Sequence, residues 1–275
     1  MLHYEVRDGV AVMTIDRPEA RNAIDTETSE GLVAAKERID ADPSIVVGVV
    51  TGTTPGVGDG PAGSRPMFSA GADLKELRDR RFGDAKGNGE SMGEGADSRT
   101  HHLAALLESD RTTPWIAAVD GPALAGGCEL VLWCDLVVAS TRASFGIPEV
   151  KRCLVAGAGG VFRLARKIPV NVAMECALTG DPMTAERAHE VGLVNELVEP
   201  DQALPRALEL AARIAVNAPL AVATSRKVLL ETFAMPDTDA FERSMNSVRS
   251  LMGSEDYKEG LDAFVEKRPP VWKGR

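Results

Sequence analysis

The sequence predicts an α/β core that gives way to a helical C-terminal part, and three observations predict it. Short apolar runs at Ile45–Val50, Trp115–Val119 and Leu136–Ala139 read as buried strands with helical patterns interleaved. From about residue 160 the apolar spacing turns helical almost without a break. No stretch approaches the roughly 18 apolar residues a membrane span needs, so every apolar face must find a partner within a folded domain.

Taken in order, residues 3 to 15 alternate around Asp8-Gly9, the pair that favours a two-residue hairpin turn. Asp25 or Thr26 can cap a helix that buries Leu32, Val33, Ala35 and Ile39. Two Gly/Pro-rich segments, Thr53–Pro66 and Gly83–Gly95, are expected to be mobile and functional, because loops this long inside a compact domain are uncommon. The helical patterns then run Val161–Lys167, Asn171–Leu178, Thr184–Val191, Gln202–Val216, Leu220–Phe233, Asp239–Leu251 and Asp256–Glu266.

At 275 residues, 44% hydrophobic and 26% charged, the chain suits one large domain with or without an appendage. A net charge of -10 excludes a nucleic-acid binder driven by phosphate contacts. An anionic ligand must therefore rely on local cations and free backbone N–H groups. Cys128, Cys134, Cys153 and Cys176 form no Cys-x-x-Cys pair and read as thiols of a reducing compartment. His3, His101, His102 and His189 are scattered, so no metal site is expected. The strand pattern begins almost at the first residue, which leaves no room for a leader and makes the cytoplasm the expected location.

Three segments carry chemistry. In Phe68-Ser-Ala-Gly-Ala-Asp-Leu-Lys75, small residues and a glycine lead into a helix and let a ligand approach free N–H groups. In Gly121-Pro-Ala-Leu-Ala-Gly-Gly-Cys-Glu-Leu130, a Gly pair opens a helix and again leaves unpaired donors at its positive end. Glu129 lies in the first turn of that helix; a capping carboxylate is the plain reading. The apolar run Leu130–Trp133 buries the helix all round, and a carboxylate there needs a reason. The third segment is Ser144-Phe-Gly-Ile-Pro-Glu149, where the proline fixes the direction of Glu149. Two glutamates beside two N–H cradles offer acid–base groups next to an anion-stabilising site.

The ordered set of landmarks resembles the crotonase (enoyl-CoA hydratase/isomerase) superfamily over nearly the whole chain. They are Arg17-Pro18-x-x-x-Asn22-Ala23, Ser69-Ala-Gly-Ala-Asp73, Ala117-Ala-Val-x-Gly-x-Ala-x-x-Gly-Gly-Cys-Glu129, Phe145-Gly-x-Pro-Glu149, Gly157-x-Gly159-Gly160 and Ala263-Phe-Val-Glu-Lys-Arg268. The tail Val271–Arg275 resembles the carnitinyl-CoA dehydratase branch. The resemblance implies a spiral of ββα units over residues 1–200, holding CoA and the active site, and a helical trimerisation region over 201–275. It implies an oxyanion hole from the N–H groups of Ala72 and Gly126, with Glu129 and Glu149 as the catalytic carboxylates. Ala70, Asp73, Leu74, Lys75, Phe264 and Lys267 fall where the family approaches CoA. Glu19 departs from the family, standing where some hydratases carry a lysine near CoA; Arg21 is the substitute cation.

The activity implied by the resemblance is that of an enoyl-CoA hydratase acting on an acyl-CoA thioester, as a homotrimer or hexamer, with no nucleic-acid or membrane partner. CoA arrives as part of the substrate and no separate cofactor is expected. The alternatives are a carnitinyl-CoA-type dehydratase, an enoyl-CoA isomerase, or a non-catalytic acyl-CoA-binding scaffold. A dinucleotide site at Gly157-Ala-Gly159-Gly160 fails because Phe162 stands where the third glycine belongs. A serine hydrolase fails for want of a Gly-x-Ser-x-Gly segment.

Overall fold

The computed structural model describes residues 1–53, 66–82 and 102–275. The Gly-rich segments read from the sequence, and His101, therefore lie almost wholly outside the described residues.

The chain opens with a hairpin, β1 (Leu2–Arg7) and β2 (Val10–Ile15), paired in antiparallel register from Leu2↔Ile15 to Arg7↔Val10. Asp8 and Gly9 both take positive φ, 48° and 77°, which the two-residue turn requires. After α1 (Thr26–Ala41), capped by Asp25 accepting from the Thr28 N–H at 2.8 Å, the chain enters β3 (Val47–Gly52). β3 runs two residues later than the apolar run Ile45–Val50 suggested. Ile45 instead closes a turn onto the Asp42 carbonyl, and the parallel ladder with β2 extends to Gly52↔Ile15.

β4 (Trp115–Val119) and β6 (Leu136–Ser140) continue the parallel ladder, and β9 (Glu196–Val198) adds the far edge. The order is β1-β2-β3-β4-β6-β9. β3 and β4 are buried throughout, as strands covered on both faces must be. Period-two alternation divides them: Val50, Trp115, Ala117 and Val119 face the main core, while Val47, Val49, Ile116 and Ala118 face the other side.

A second sheet, β5-β7-β8, is built from strands of two or three residues. They are β5 (Ala123–Leu124), β7 (Ser144–Gly146) and β8 (Met183–Thr184), too short for any periodic signal. A parallel bridge from Ser69 to Ala123 extends this sheet. Successive turns of chain thus place one strand in the large sheet, a short pairing in the small one, then a helix: β4, β5 and α4 (Gly126–Trp133), then β6, β7 and the helices that follow. This is the expected ββα spiral. α2 (Leu74–Phe82) and α3 (His102–Glu108) follow the Ser69 bridge in the same way.

Beyond the spiral come α5 (Gly160–Lys167), α6 (Val170–Thr179), α7 (Ala185–Glu190), α8 (Ala203–Ala215), α9 (Pro219–Thr232), α10 (Asp237–Leu251) and α11 (Glu255–Glu266). α8 sits on the second face of the large sheet through Ala207 and Ala211, so the packed core continues past residue 200. α9 is tied to the core by Arg226, whose Nε donates to Asp135 at 2.8 Å. Among the described residues no single helix is long and apolar enough to cross a membrane.

Candidate active site

The site forms where the segment 66–73 is laid along the turn after β4. The Phe68 N–H donates to the Pro122 carbonyl at 3.0 Å, and the Leu124 N–H to the Ser69 carbonyl at 2.9 Å. Ile24 takes the other side: its N–H donates to the Gly71 carbonyl, and its carbonyl accepts from Asp73. In a trans peptide the carbonyl and the N–H that follows it point opposite ways. With the groups of Gly71 and Asp73 turned to Ile24, the Ala72 N–H faces away, towards the start of α4.

Gly126 is the first residue of α4, and the first N–H groups of a helix have no partner within it. Ala125 before it is held at φ 50°, ψ -127°, a conformation costly for a side chain and maintained by its N–H bond to the Gly146 carbonyl at 2.9 Å. Gly71 is the close approach that brings the two strips together. A Cβ there would lie 2.8 Å from the Gly126 nitrogen and 2.9 Å from the Leu124 carbonyl, and its φ is 89°. Among the described residues neither the Ala72 nor the Gly126 N–H is spent on a backbone acceptor.

Arg17 and Asn22 hold this geometry, a role not legible from the sequence, where they served only as landmarks. Asn22 is buried; its Oδ1 accepts from the Arg17 N–H at 2.9 Å and its Nδ2 donates to the Met67 carbonyl at 2.7 Å. The Arg17 guanidinium donates to the Ala23 carbonyl and pairs with Asp25 and Asp73 at 3.2 and 3.3 Å.

Glu129 is 5% exposed on α4. Its Oε1 accepts the Gly160 N–H at 3.0 Å. Burial pushes its carboxyl above the usual range, against the opposing pull of the Gly160 and Ala158 N–H groups and the Arg163 cation. Glu149 is the second residue of a short 3₁₀ turn, Pro148–Arg152, and lies three residues beyond Gly146. Burial raises it too, and the negative charge of Glu129 adds to the rise. Its Oε2 is buried with no hydrogen-bond partner among the described residues. Two raised carboxyls within electrostatic reach titrate as a pair, the arrangement that acid–base proton transfer uses.

The remaining expected residues divide into two groups. Ala70, Asp73, Leu74 and Lys75 border the Ala72 N–H. The Ala70 N–H donates to the Arg21 carbonyl at 3.1 Å, which brings Arg21 alongside. The Asp73 side chain is already committed: Oδ2 to Arg17, Oδ1 to the Lys75 and Glu76 N–H groups that open α2. Phe264 and Lys267 lie at the far end of α11, with Phe264 85% exposed. No described hydrogen bond links either of them to the Ala72 strip. Among the described residues no group of three His, Cys, Asp or Glu side chains could hold a metal ion.

Two N–H groups without backbone acceptors, near one buried and one half-buried carboxylate, suit a reaction that builds negative charge on a carbonyl oxygen while moving a proton. Comparison with known proteins agrees. Residues 5–275 match the enoyl-CoA hydratase/isomerase family model. The chain belongs to the enoyl-CoA hydratase/isomerase family. Within that family it is 40% identical over 272 residues to the enoyl-CoA hydratase EchA19 of Mycobacterium tuberculosis, covering 98% of this chain and 96% of that one. It is 37% identical over 279 residues to a carnitinyl-CoA dehydratase of Salmonella enteritidis, covering 100% and 98%. A crystal structure of an enoyl-CoA hydratase from Mycobacterium tuberculosis superposes with a TM-score of 0.84 at 42% identity, covering 100% and 99%. A carnitinyl-CoA hydratase from Mycobacterium avium gives 0.70 at 42%, covering 100% and 98%.

Both branches of the enoyl-CoA hydratase/isomerase family are therefore represented at similar identity, and the C-terminal tail does not separate them. Its described bonds are local. The Trp272 Nε1–H donates to the Val216 carbonyl at 2.9 Å, and the Lys273 and Gly274 N–H groups cap Asp256. The tail secures α11 to the end of α8; it touches neither glutamate among the described bonds.

Proposed function

We propose that this chain is an enoyl-CoA hydratase, adding water across the C2=C3 bond of an acyl-CoA thioester or removing it in reverse. The observation that carries this is the pair of glutamates: Glu149 presents a buried Oε2 with no hydrogen-bond partner among the described residues, and the Glu129 carboxylate, held through Oε1 by the Gly160 N–H, lies within its electrostatic reach. One carboxylate could shuttle a proton for an isomerase; two are needed to orient a water and deliver a second proton.

The thioester oxygen accepts from the Ala72 and Gly126 N–H groups. Water bound between the carboxylates attacks C3, and its proton passes to the ionised member of the pair. The π electrons move towards the thioester, the developing enolate is held by the two N–H groups, and C2 takes a proton from the protonated member, giving syn addition. Each donor in such a cradle is worth about a hundred- to thousandfold in rate, and positioned proton transfer about a hundred- to ten-thousandfold. This chemistry calls on no metal or redox cofactor.

The CoA moiety is placed along Ala70, Leu74 and Lys75, with Arg21 as a neighbouring cation and with Phe264 and Lys267 approaching from a C-terminal helix. The apolar side chains that α9–α11 leave exposed, Phe233, Phe241 and Phe264 among them, support assembly into a homotrimer or a dimer of trimers, which light scattering of the purified chain would test. The catalytic test is loss of the enoyl-thioester absorbance with a mass gain of one water, across acyl chain lengths and crotonobetainyl-CoA. Protein that binds CoA but hydrates none of them would sink the proposal; a product of unchanged mass would identify an isomerase. Preference for crotonobetainyl-CoA would place the chain with the carnitinyl-CoA dehydratases.

A further inference from the structure

The Gly157-Ala-Gly159-Gly160 segment has a partner that the reaction scheme leaves unused. Arg163, one turn into α5, folds its guanidinium back over this segment: Nη1 donates to the Ala158 carbonyl at 2.9 Å and Nη2 to the Leu107 carbonyl at 2.5 Å. Leu107 belongs to the last turn of α3, so one planar fork joins α3 to the loop whose Gly160 N–H grips Glu129. α3 also covers the other half of the site, since Leu103 Cδ2 lies 2.9 Å from where a Cβ on Gly126 would stand. The segment is cut to fit. A Cβ on Gly159 would fall 1.8 Å from Arg163 Nη1, and one on Gly160 would fall 3.1 Å from Glu129 Oε1.

We propose that Arg163 is a positioning residue for hydration: it locks the Ala158–Gly160 loop and α3 in register, and so holds in place the Gly160 N–H that grips Glu129. The inference rests on the reading of Glu129 as a catalytic carboxylate.

The electrostatic surroundings give the sign. Around Glu129, among the described residues, the charged or titratable groups are Arg163, Glu149 and the buried Cys128 thiol. Around Arg163, among the described residues, they are Arg111, Arg166, Lys167 and Glu129, with Phe162 offering its ring face at 4.9 Å. Burial and the two neighbouring arginines work against the Arg163 charge, and Glu129 supports it. Removing that charge leaves Glu129 facing burial and Glu149 with less compensation, so the carboxylate pair must release its protons at higher pH.

The test compares wild type, Arg163→Met and Arg163→Lys, with circular dichroism and oligomer mass as fold controls. Arg163→Met is expected to lower kcat about 10- to 100-fold, to change KM by less than about threefold, and to move the acid limb of the pH profile up by roughly half to one unit. Arg163→Lys keeps the charge without the fork, so it should lose rate while leaving the limb in place. The Glu129 carboxyl band, isolated by infrared difference against Glu129→Gln, should titrate higher in Arg163→Met, and this reading needs no turnover. A folded Arg163→Met with wild-type limb and band position overturns the proposal. If Arg163→Met does not fold, wild-type kcat in Arg163→Lys overturns it instead. A wild type inactive on every enoyl thioester would count against the hydratase reading alone, with the infrared titration still deciding the Arg163–Glu129 coupling.

Discussion

Arg17 and Asp73, 56 positions apart in the chain, meet at 3.3 Å and pin the strip that presents the Ala72 N–H. The ion pair stands on one side of Ala72, and the Ile24 bridge secures the residues flanking it. A charge that looks placed for a ligand is thereby assigned to holding backbone.

Asp73→Ala removes both the pair and the cap of α2, and is expected to cost about 1–2 kcal/mol in stability. Asp73→Asn keeps the cap and should cost less. Because the effect acts through the Ala72 donor, kcat should fall about tenfold for CoA and pantetheine thioesters alike. A loss confined to KM for CoA would instead make Asp73 a direct nucleotide contact.

Gly71 and Gly192 form a matched pair for separating strain from site geometry. Both have positive φ, 89° and 87°, but a Cβ on Gly192 meets nothing within 4 Å while one on Gly71 collides with Gly126 and Leu124. Gly192→Ala should cost about 1 kcal/mol or a little more and leave kcat unchanged. Gly71→Ala should displace the hole and lower kcat by about a hundredfold or more. Equal kcat in the two variants, measured on folded protein, would show that the Gly71 approach does not set the hole.

Burial raises the carboxyls of Glu129 and Glu149 above their ordinary 4.5, so in the native state they hold protons that the unfolded chain has released. Their contribution to stability is full below that ordinary value and is lost as pH rises through the raised native values. Replacing both with Gln should abolish hydration, each single change costing at least about a hundredfold in kcat. The double change should cost less than the product of the two single effects. The same variant should melt higher than wild type at pH 8, by about 2–4 °C per kcal/mol recovered, and the gap should close towards pH 4. Melting curves across that range check the sign; a gap that widens on acidification would contradict it.

With a net charge of -10 the chain gains nothing from its global field in attracting CoA, so recognition of the nucleotide phosphates should be local and screened by salt. Lys75→Ala should raise KM for CoA substrates several-fold, less so at high ionic strength, and hardly at all for pantetheine thioesters. Lys267→Ala should follow the same pattern if α11 reaches the nucleotide in the assembled enzyme. Equal penalties for both thioesters would point to folding or assembly.

The elements with a strong local signal were legible in advance. The Asp8-Gly9 hairpin, the helix start capped at Asp25 or Thr26 (Asp25 in the structure), the buried run Trp115–Val119 and the seven C-terminal helical patterns all fall within a residue or two of the elements observed. They depend on turn stereochemistry, capping and periodicity, which neighbouring residues fix among themselves. The order of motifs likewise singled out Glu129, Glu149, Ala72 and Gly126 as candidates, and the structure brings their segments into one neighbourhood.

What only the tertiary structure decided depends on residues far apart in sequence. β5, β7 and β8 have no periodicity to read, and exist because strips at 69, 123, 145 and 183 pair with one another. The roles of Arg17, Asn22 and Arg163 are invisible locally, since their partners lie up to 56 positions away. The sequence determined which side chains are present and which segments turn, coil or extend. Packing decided which backbone groups stay unpaired and which carboxyls lose their water, because desolvation and hydrogen-bond satisfaction are properties of the assembled core.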